Sequence, residues 1–250
     1  MAKGGGSRSP RSGKSGKDGK DAASRRTAKG AASAHKKKQQ PKPVPVVDPG
    51  PQMPEHFTLG AIAGATPGKW IDAWQERYRR VPLLLHPLHR DAQRSALVDG
   101  EVDAALVRLP IGREGLHVIA LYEELPVVVA SADSHLCAAE ELTLDDLGGE
   151  VVITPLDDVV RVSVPGAVAP RFAAPETTEE AIATVAAGVG VVIVPMSLAR
   201  LHHRKDTEWR VLQGVDASTV ALAWVADADN PAVAAFVGIV RGRTANSSRD

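Results

Sequence analysis

The sequence predicts an α/β fold made of two successive series of strands and helices, and three observations carry that expectation. Segments with strand-like alternation are followed by segments with helical spacing, in an order that begins again near Thr143. An all-apolar run, Pro126-Val-Val-Val-Ala130, stands between the series and suits a strand covered on both faces. Ahead of Phe57 the chain changes character. Residues 1–47 contain no Ile, Leu, Phe, Trp, Tyr or Cys, so they cannot bury enough surface to offset the entropy of ordering them.

Each element follows from local chemistry. Six prolines between Pro41 and Pro54 favour an extended spacer. Phe57 to Ile62 alternates as a strand, and the loop Gly64-Ala-Thr66-Pro67 offers Thr66 as helix cap with Pro67 in the first turn. Trp70, Ile71, Trp74 and Tyr78 then recur on one helical face, a pattern of core burial rather than of an aromatic ligand box. Leu83 to His86 is a second strand, Gln93 to Asp99 a short helix closed by Gly100, and Val102 to Val107 a third strand. Strands alternating with helices imply a parallel sheet with right-handed crossovers. His117 to Leu121 and Leu125 to Ala130 are extended. The second series comprises a helical turn at Leu144 to Leu147, a strand at Glu150 to Ile153, a helix at Thr178 to Ala187 with acidic residues in its first turn, and a strand at Val191 to Val194. A helix at Met196 to His203, extended pieces at Trp209 to Leu212 and Thr219 to Val225, and a helix opened by Asn230-Pro231 complete the chain.

A formal net charge of zero conceals an asymmetry. In residues 1–47, thirteen Lys and Arg against Asp18 and Asp21 leave +11, and the remainder carries −11. Bulk attraction for nucleic acid therefore belongs to the tail and not to the folded part. Cys137 is the only cysteine, which excludes an internal disulfide and a thiolate-rich metal site, and it reads as a small core residue in a reducing, cytoplasmic setting. Ala2 to Ala34 has no apolar stretch of the kind a secretory signal needs, and no apolar run approaches the roughly 18 residues of a membrane span. The expectation is a cytoplasmic protein with no membrane contact.

The folded part resembles the effector-binding domain of LysR-type transcriptional regulators. The resemblance is carried by the amphipathic helix ending Arg77-Tyr-Arg-Arg-Val-Pro-Leu83, by Leu97-Val-Asp-Gly-Glu-Val-Asp-Ala-Ala-Leu106, by Ser134-His-Leu136, by Leu142-Thr-Leu-Asp-Asp-Leu147, and by Val185-Ala-Ala-Gly-Val-Gly-Val-Val-Ile-Val-Pro195. It implies a two-lobed fold like that of type 2 periplasmic binding proteins, with two crossover segments and a ligand cleft. Lobe one would comprise 57–130 and 219–243 and lobe two 131–218, with 1–55 a disordered tail and linker and 244–250 a disordered C-terminus. The family's N-terminal winged helix-turn-helix has no counterpart in the Lys/Ala/Ser/Gly tail. The stretch from Val151 to Arg171, with Pro155, Pro165 and Pro170, is shorter than the family's and leaves room for a missing cleft helix.

Mapped through the resemblance, the cleft is lined by Ala65 and Thr66, His89 and Arg90 after the second strand, Arg108 and Leu109 after the third, and Ser131 after the central strand, with Thr154, Thr177 and Pro195 from lobe two. Thr66 and Thr177 also read as helix caps. Arg108, at the end of a buried strand, can hold a ligand carboxylate through two hydrogen bonds or pair with a neighbouring acid. Adjacent His202 and His203 diverge by about 100° on a helix and lack a third ligand at metal spacing. Glu123-Glu124, Asp145-Asp146 and Asp157-Asp158 read as solvated surface rather than catalytic pairs. No nucleophile elbow, phosphate loop or dinucleotide fingerprint occurs, and Gly60-Ala-Ile-Ala-Gly64 lacks the required third glycine. The expected function is a non-enzymatic, cofactor-free regulatory module. It binds a small effector, such as a carboxylate, and acts by dimerising with itself or with a LysR-type protein, while the tail touches DNA non-specifically. A solute-binding protein and a tail-driven nucleic-acid binder are the alternatives.

Overall fold

The computed structural model describes residues 52–242, so the expectations for the basic tail and for 244–250 lie outside the described residues. Two five-stranded sheets organise the fold. The first is made of β1 (Phe57–Ile62), β2 (Leu83–Leu88), β3 (Ala104–Arg108), β4 (Leu116–Glu124) and β10 (Ser218–Val225), ordered β2-β1-β3-β10-β4. The second is made of β5 (Pro126–Ser131), β6 (Glu141–Leu142), β7 (Val152–Ile153), β8 (Val191–Pro195) and β9 (Thr207–Leu212), ordered β6-β9-β5-β8-β7. Five α-helices accompany them: α1 (Gly68–Arg77), α2 (Ser95–Val98), α3 (Thr178–Ala186), α4 (Met196–Leu201) and α5 (Pro231–Val240).

The sheets are mixed, not parallel as the alternation of elements suggests. β1 runs parallel to β2 and β3, but β10 is antiparallel to both β3 and β4. In the second sheet β5 is antiparallel to β8 and β9. The reason is that the chain leaves the first sheet at Leu125 and returns between Leu212 and Ser218, so strands that follow each crossing enter from the opposite direction. The run Pro126–Ser131 therefore belongs to the centre of the second sheet, which corrects its expected place in lobe one. β2 continues through Pro87, which an edge strand tolerates because that position need not donate to a ladder.

Both faces of the first sheet are covered. On one, Phe57, Leu59, Leu106 and Leu222 pack with Trp74 of α1 and Phe236 of α5, and the rings of Phe57, Trp74 and Phe236 lie within 4.9–6.1 Å of one another. The Trp74 indole N–H donates to the Val81 carbonyl at 2.8 Å, so its one polar atom is satisfied in the core. On the other, α2 brings Ala96 and Leu97 against Ala105, Val107 and Ala221. Asp103 ties the layer together, accepting from the Thr58 N–H at 2.7 Å and from Asn230 Nδ2 at 2.8 Å, while Asn230 Oδ1 caps α5 through the Ala232 N–H.

The second sheet packs α3 and α4 on one face, where Ile182, Val185 and Leu198 meet Val127, Val129 and Val192. Its other face is closed by Leu136, Leu142 and Leu147, with half-buried Val160, Val162 and Val164 against them. Among the described residues, no helix forms between β7 and α3. Gly190 carries φ +69°, and a Cβ there would stand 2.0 Å from the Val151 carbonyl oxygen, so the entry to β8 requires glycine.

Candidate functional site

Arg108 ends β3, Glu124 ends β4 and Ser218 begins β10. The antiparallel pairing of β10 with β3 and β4 gathers the three side chains at the strand ends of the first sheet, where the chain crosses to the second. Arg108 Nη1 donates to Glu124 Oε2 and to Ser218 Oγ, each at 2.8 Å. From the start of α4, Ser197 Oγ donates to the same Glu124 oxygen at 2.8 Å, so one carboxylate is held from both sheets. The Arg108 backbone is clamped by Gln93, which accepts from its N–H at 3.0 Å and donates to its carbonyl at 2.9 Å. Arg108 and Glu124 are only 2% and 8% exposed. Glu124 is thus a buried ion-pair partner, which corrects its reading as solvated surface. Both expected roles of Arg108 coexist: Nη1 is paired, whereas Nη2 is buried and has no hydrogen-bond partner among the described residues. An unsatisfied buried group on a cation carries a desolvation cost of at least about 1–3 kcal/mol.

Arg108 stands in the wall of a small deep cavity of about 90 Å³, which His89, Arg90, Asp157, Thr178 and His202 also line. Arg90 Nη1 donates to the Asp158 carbonyl at 3.1 Å and so joins β2's exit to the loop after β7. Burial, followed by the nearby Arg161 charge, pushes the Arg90 guanidinium below its ordinary value. Thr178 Oγ1 donates to Asp157 Oδ1 at 2.9 Å, which holds that loop against α3. Two further cavities share Arg90. One of about 240 Å³ includes Leu109, Val160, Arg161 and Pro195. The other, of about 280 Å³, includes Gln93, Arg94 and Arg161.

A broader groove of about 600 Å³ lies by Gly64, Ala65, Thr66, Tyr122, Met196 and Leu201. Burial pushes the Tyr122 phenol above its usual range, and the Glu124 charge acts in the same direction. Gly64, with φ +82°, is where the two halves touch. A Cβ there would come within 2.5 Å of Ser197 Oγ and 3.2 Å of Leu198 Cδ2.

The expected site residues are thus distributed. His89, Arg90 and Arg108 meet at the deep cavity, Leu109 and Pro195 at its neighbour, and Ala65 and Thr66 at the broad groove. Thr66 is not the cap of α1: the helix opens one residue later, with Pro67 at the cap and its carbonyl accepting from Trp70 and Ile71. Thr177 is a cap, its hydroxyl accepting from the Glu180 N–H at 3.2 Å, and it lines none of these cavities. Ser131 lies at the far end of β5 from the crossing, paired with Thr207, because the strand runs away from the first sheet. Thr154 is exposed and its place is taken by Asp157, three residues on. Sequence reasoning missed Ser197, Thr178 and Asp157. A hydroxyl beside Met196, at the start of a helix after a buried strand, was the only local signal for Ser197.

Two sheets joined by two crossings, with cavities at the junction, define a two-lobed module of the type 2 periplasmic-binding-protein class. A model of the LysR substrate-binding domain matches residues 54–245, and the chain belongs to that family. It is 24% identical over 180 residues to the HTH-type transcriptional regulator AlsR of Bacillus subtilis, covering 68% of this chain and 59% of AlsR. It is 30% identical over 156 residues to the HTH-type transcriptional regulator CatR of Pseudomonas putida, covering 53% of each. The chain therefore spans little more than half the length of these relatives. Similar solved structures include the reduced OxyR regulatory domain of Pseudomonas aeruginosa (TM-score 0.59, 24% identity, 74% of this chain and 96% of that one) and the BenM effector-binding domain with benzoate (TM-score 0.63, 17% identity, 80% and 96%). Among the described residues no helix is long and apolar enough to cross a membrane.

Proposed function

We propose that the chain is a non-enzymatic, effector-sensing regulatory protein whose ligand presents an anionic group, such as a carboxylate, to Arg108 between the lobes. The observation that carries this reading is the buried, unpartnered Nη2 of Arg108, a residue that lines the deep cavity. A carboxylate there completes the fork of the guanidinium and recovers the cost of its desolvation. Because Glu124 is bonded to Arg108 and to Ser197, an anion competing for Arg108 changes the force between the lobes, and the ligand selects one setting of them. The regulator names of AlsR and CatR support a role in transcription, exerted through a second copy or a LysR-type partner.

Arg108→Lys tests the site, since it keeps a cation beside Glu124 and removes the free arm. With acetate, propionate and benzoate as probes in calorimetric titration, the best-bound carboxylate should lose about tenfold in affinity, roughly 1.4 kcal/mol. Unchanged affinity places the ligand elsewhere. The tail's +11 charge supports a second contact, with DNA phosphates and without sequence preference. Removing residues 1–55 should abolish binding to random duplex DNA at about 50 mM salt; a truncated protein that binds as tightly as the full chain refutes that role.

A further inference from the structure

Three guanidiniums surround the space between the lobes, and only one has a carboxylate partner. Arg108 is paired through Nη1. Arg90 bonds a backbone carbonyl, and Arg161 makes no side-chain hydrogen bond or ion pair among the described residues. The acids nearby are committed elsewhere or face solvent. Asp158 accepts from the N–H groups of Val160 and Arg161, each at 3.0 Å, Asp157 holds Thr178, and Asp91 and Asp216 are exposed. Arg161 is also the one described non-glycine residue with positive φ, at +53°. A left-handed setting costs a non-glycine residue about 1–3 kcal/mol and persists only where its surroundings impose it. Here the Asp158 carboxylate imposes it, and the turn sets Arg161 from lobe two beside Arg90 from lobe one.

We infer that the effector is a dianion: one anionic group meets Arg108 Nη2 in the deep cavity, and a second, on a short spacer, is gripped between Arg90 and Arg161. Arg90 lines the deep cavity and both of its neighbours, and Arg161 lines those two neighbours, so Arg90 is the side chain common to the three spaces and stands between Arg108 and Arg161 in the lining. A second anionic group there adds to the compensation that Asp91 and Asp158 give the Arg90 charge against its burial and against Arg161. The inference rests on the assignment of Arg108 as the first anchor.

The test compares malonate, succinate, glutarate and adipate with the monocarboxylates of equal chain length at constant ionic strength, using the full chain, its Arg161→Gln variant and its Arg161→Lys variant. The best dicarboxylate should bind the parent at least about tenfold more tightly than its monocarboxylate, roughly 1.4 kcal/mol. Arg161→Gln should erase that advantage and leave monocarboxylate affinity within about twofold, while Arg161→Lys retains most of it. Equal affinity for mono- and dicarboxylates in the parent overturns the dianion while leaving the Arg108 site standing. A loss in Arg161→Gln that is equal for both ligand classes also overturns it, since Arg161 then only shapes the loop. Binding of neither class overturns the Arg108 assignment and the dianion together.

Discussion

The two lobes contain sheets of equal strand number but are sealed by different means. Lobe one is covered on both faces by helices and locked by the clustered rings of Phe57, Trp74 and Phe236. Lobe two has an aliphatic core, and one of its faces is closed by Leu136, Leu142 and Leu147 with half-buried valines from the irregular chain between β7 and α3 against them. Aromatic interlocking resists deformation, because a ring truncated in a dense core leaves a cavity that neighbours cannot fill. Irregular cover depends on turns and caps that each contribute little. The irregular chain also carries Asp157, Asp158 and Arg161, so loop residues rather than a helix are what lobe two brings to the cavities beside Arg90.

The largest test of the contrast is a pair of truncations. Trp74→Ala should cost about 3–5 kcal/mol in urea unfolding, whereas Val162→Ala, in the irregular cover, should cost only about 1 kcal/mol. Equal losses would break the comparison. A smaller effect is expected at the cap of α3. Thr177→Ala should cost about 1 kcal/mol, and hydrogen exchange should rise first at Glu180, whose N–H the hydroxyl holds. An unchanged midpoint with unchanged exchange would show that packing of Ile182 and Val185 alone sustains the helix.

The smallest effect concerns pH. The Thr143 N–H and hydroxyl both donate to Asp146 Oδ2 at 2.7 Å, and these bonds hold its carboxyl below the usual range. With the folded value lowered, the stabilising contribution is present in full above the ordinary carboxylate value and is lost as pH falls through the folded one. Asp146→Asn should therefore flatten the acid limb of the stability curve slightly, and an identical limb in the variant would remove Asp146 from the account. Cys137 bears on the same lobe: burial pushes its thiol up, so it is a poor nucleophile at neutral pH.

Much of the frame was legible because its signals are local. The alternation at Phe57–Ile62, the aromatic spacing through Trp74, the Asn230-Pro231 start and the Thr177 cap are each written within a few residues. So was the irregular course of the chain between β7 and α3, which the prolines between Pro155 and Pro170 foreshadow. The candidate site was legible only in part. Arg90 and Arg108 stand at strand exits that any α/β reading singles out. Ser131 follows a buried strand, which locally reads as a strand exit at the cleft, and only pairing with β8 and β9 shows that β5 starts at the crossing and carries Ser131 away from it.

By itself, then, the amino-acid order determined which segments are strands and helices, where charge is concentrated and which family pattern the chain follows, since propensity, caps and periodicity act over a few residues. Tertiary structure alone decided that Glu124 is buried with Arg108, that Ser197 reaches it from the other lobe, and that Nη2 is left without a partner. These are contacts between residues 16 and 73 positions apart in the chain, set by strand direction and by two crossings that bring distant ends together, which no local preference encodes.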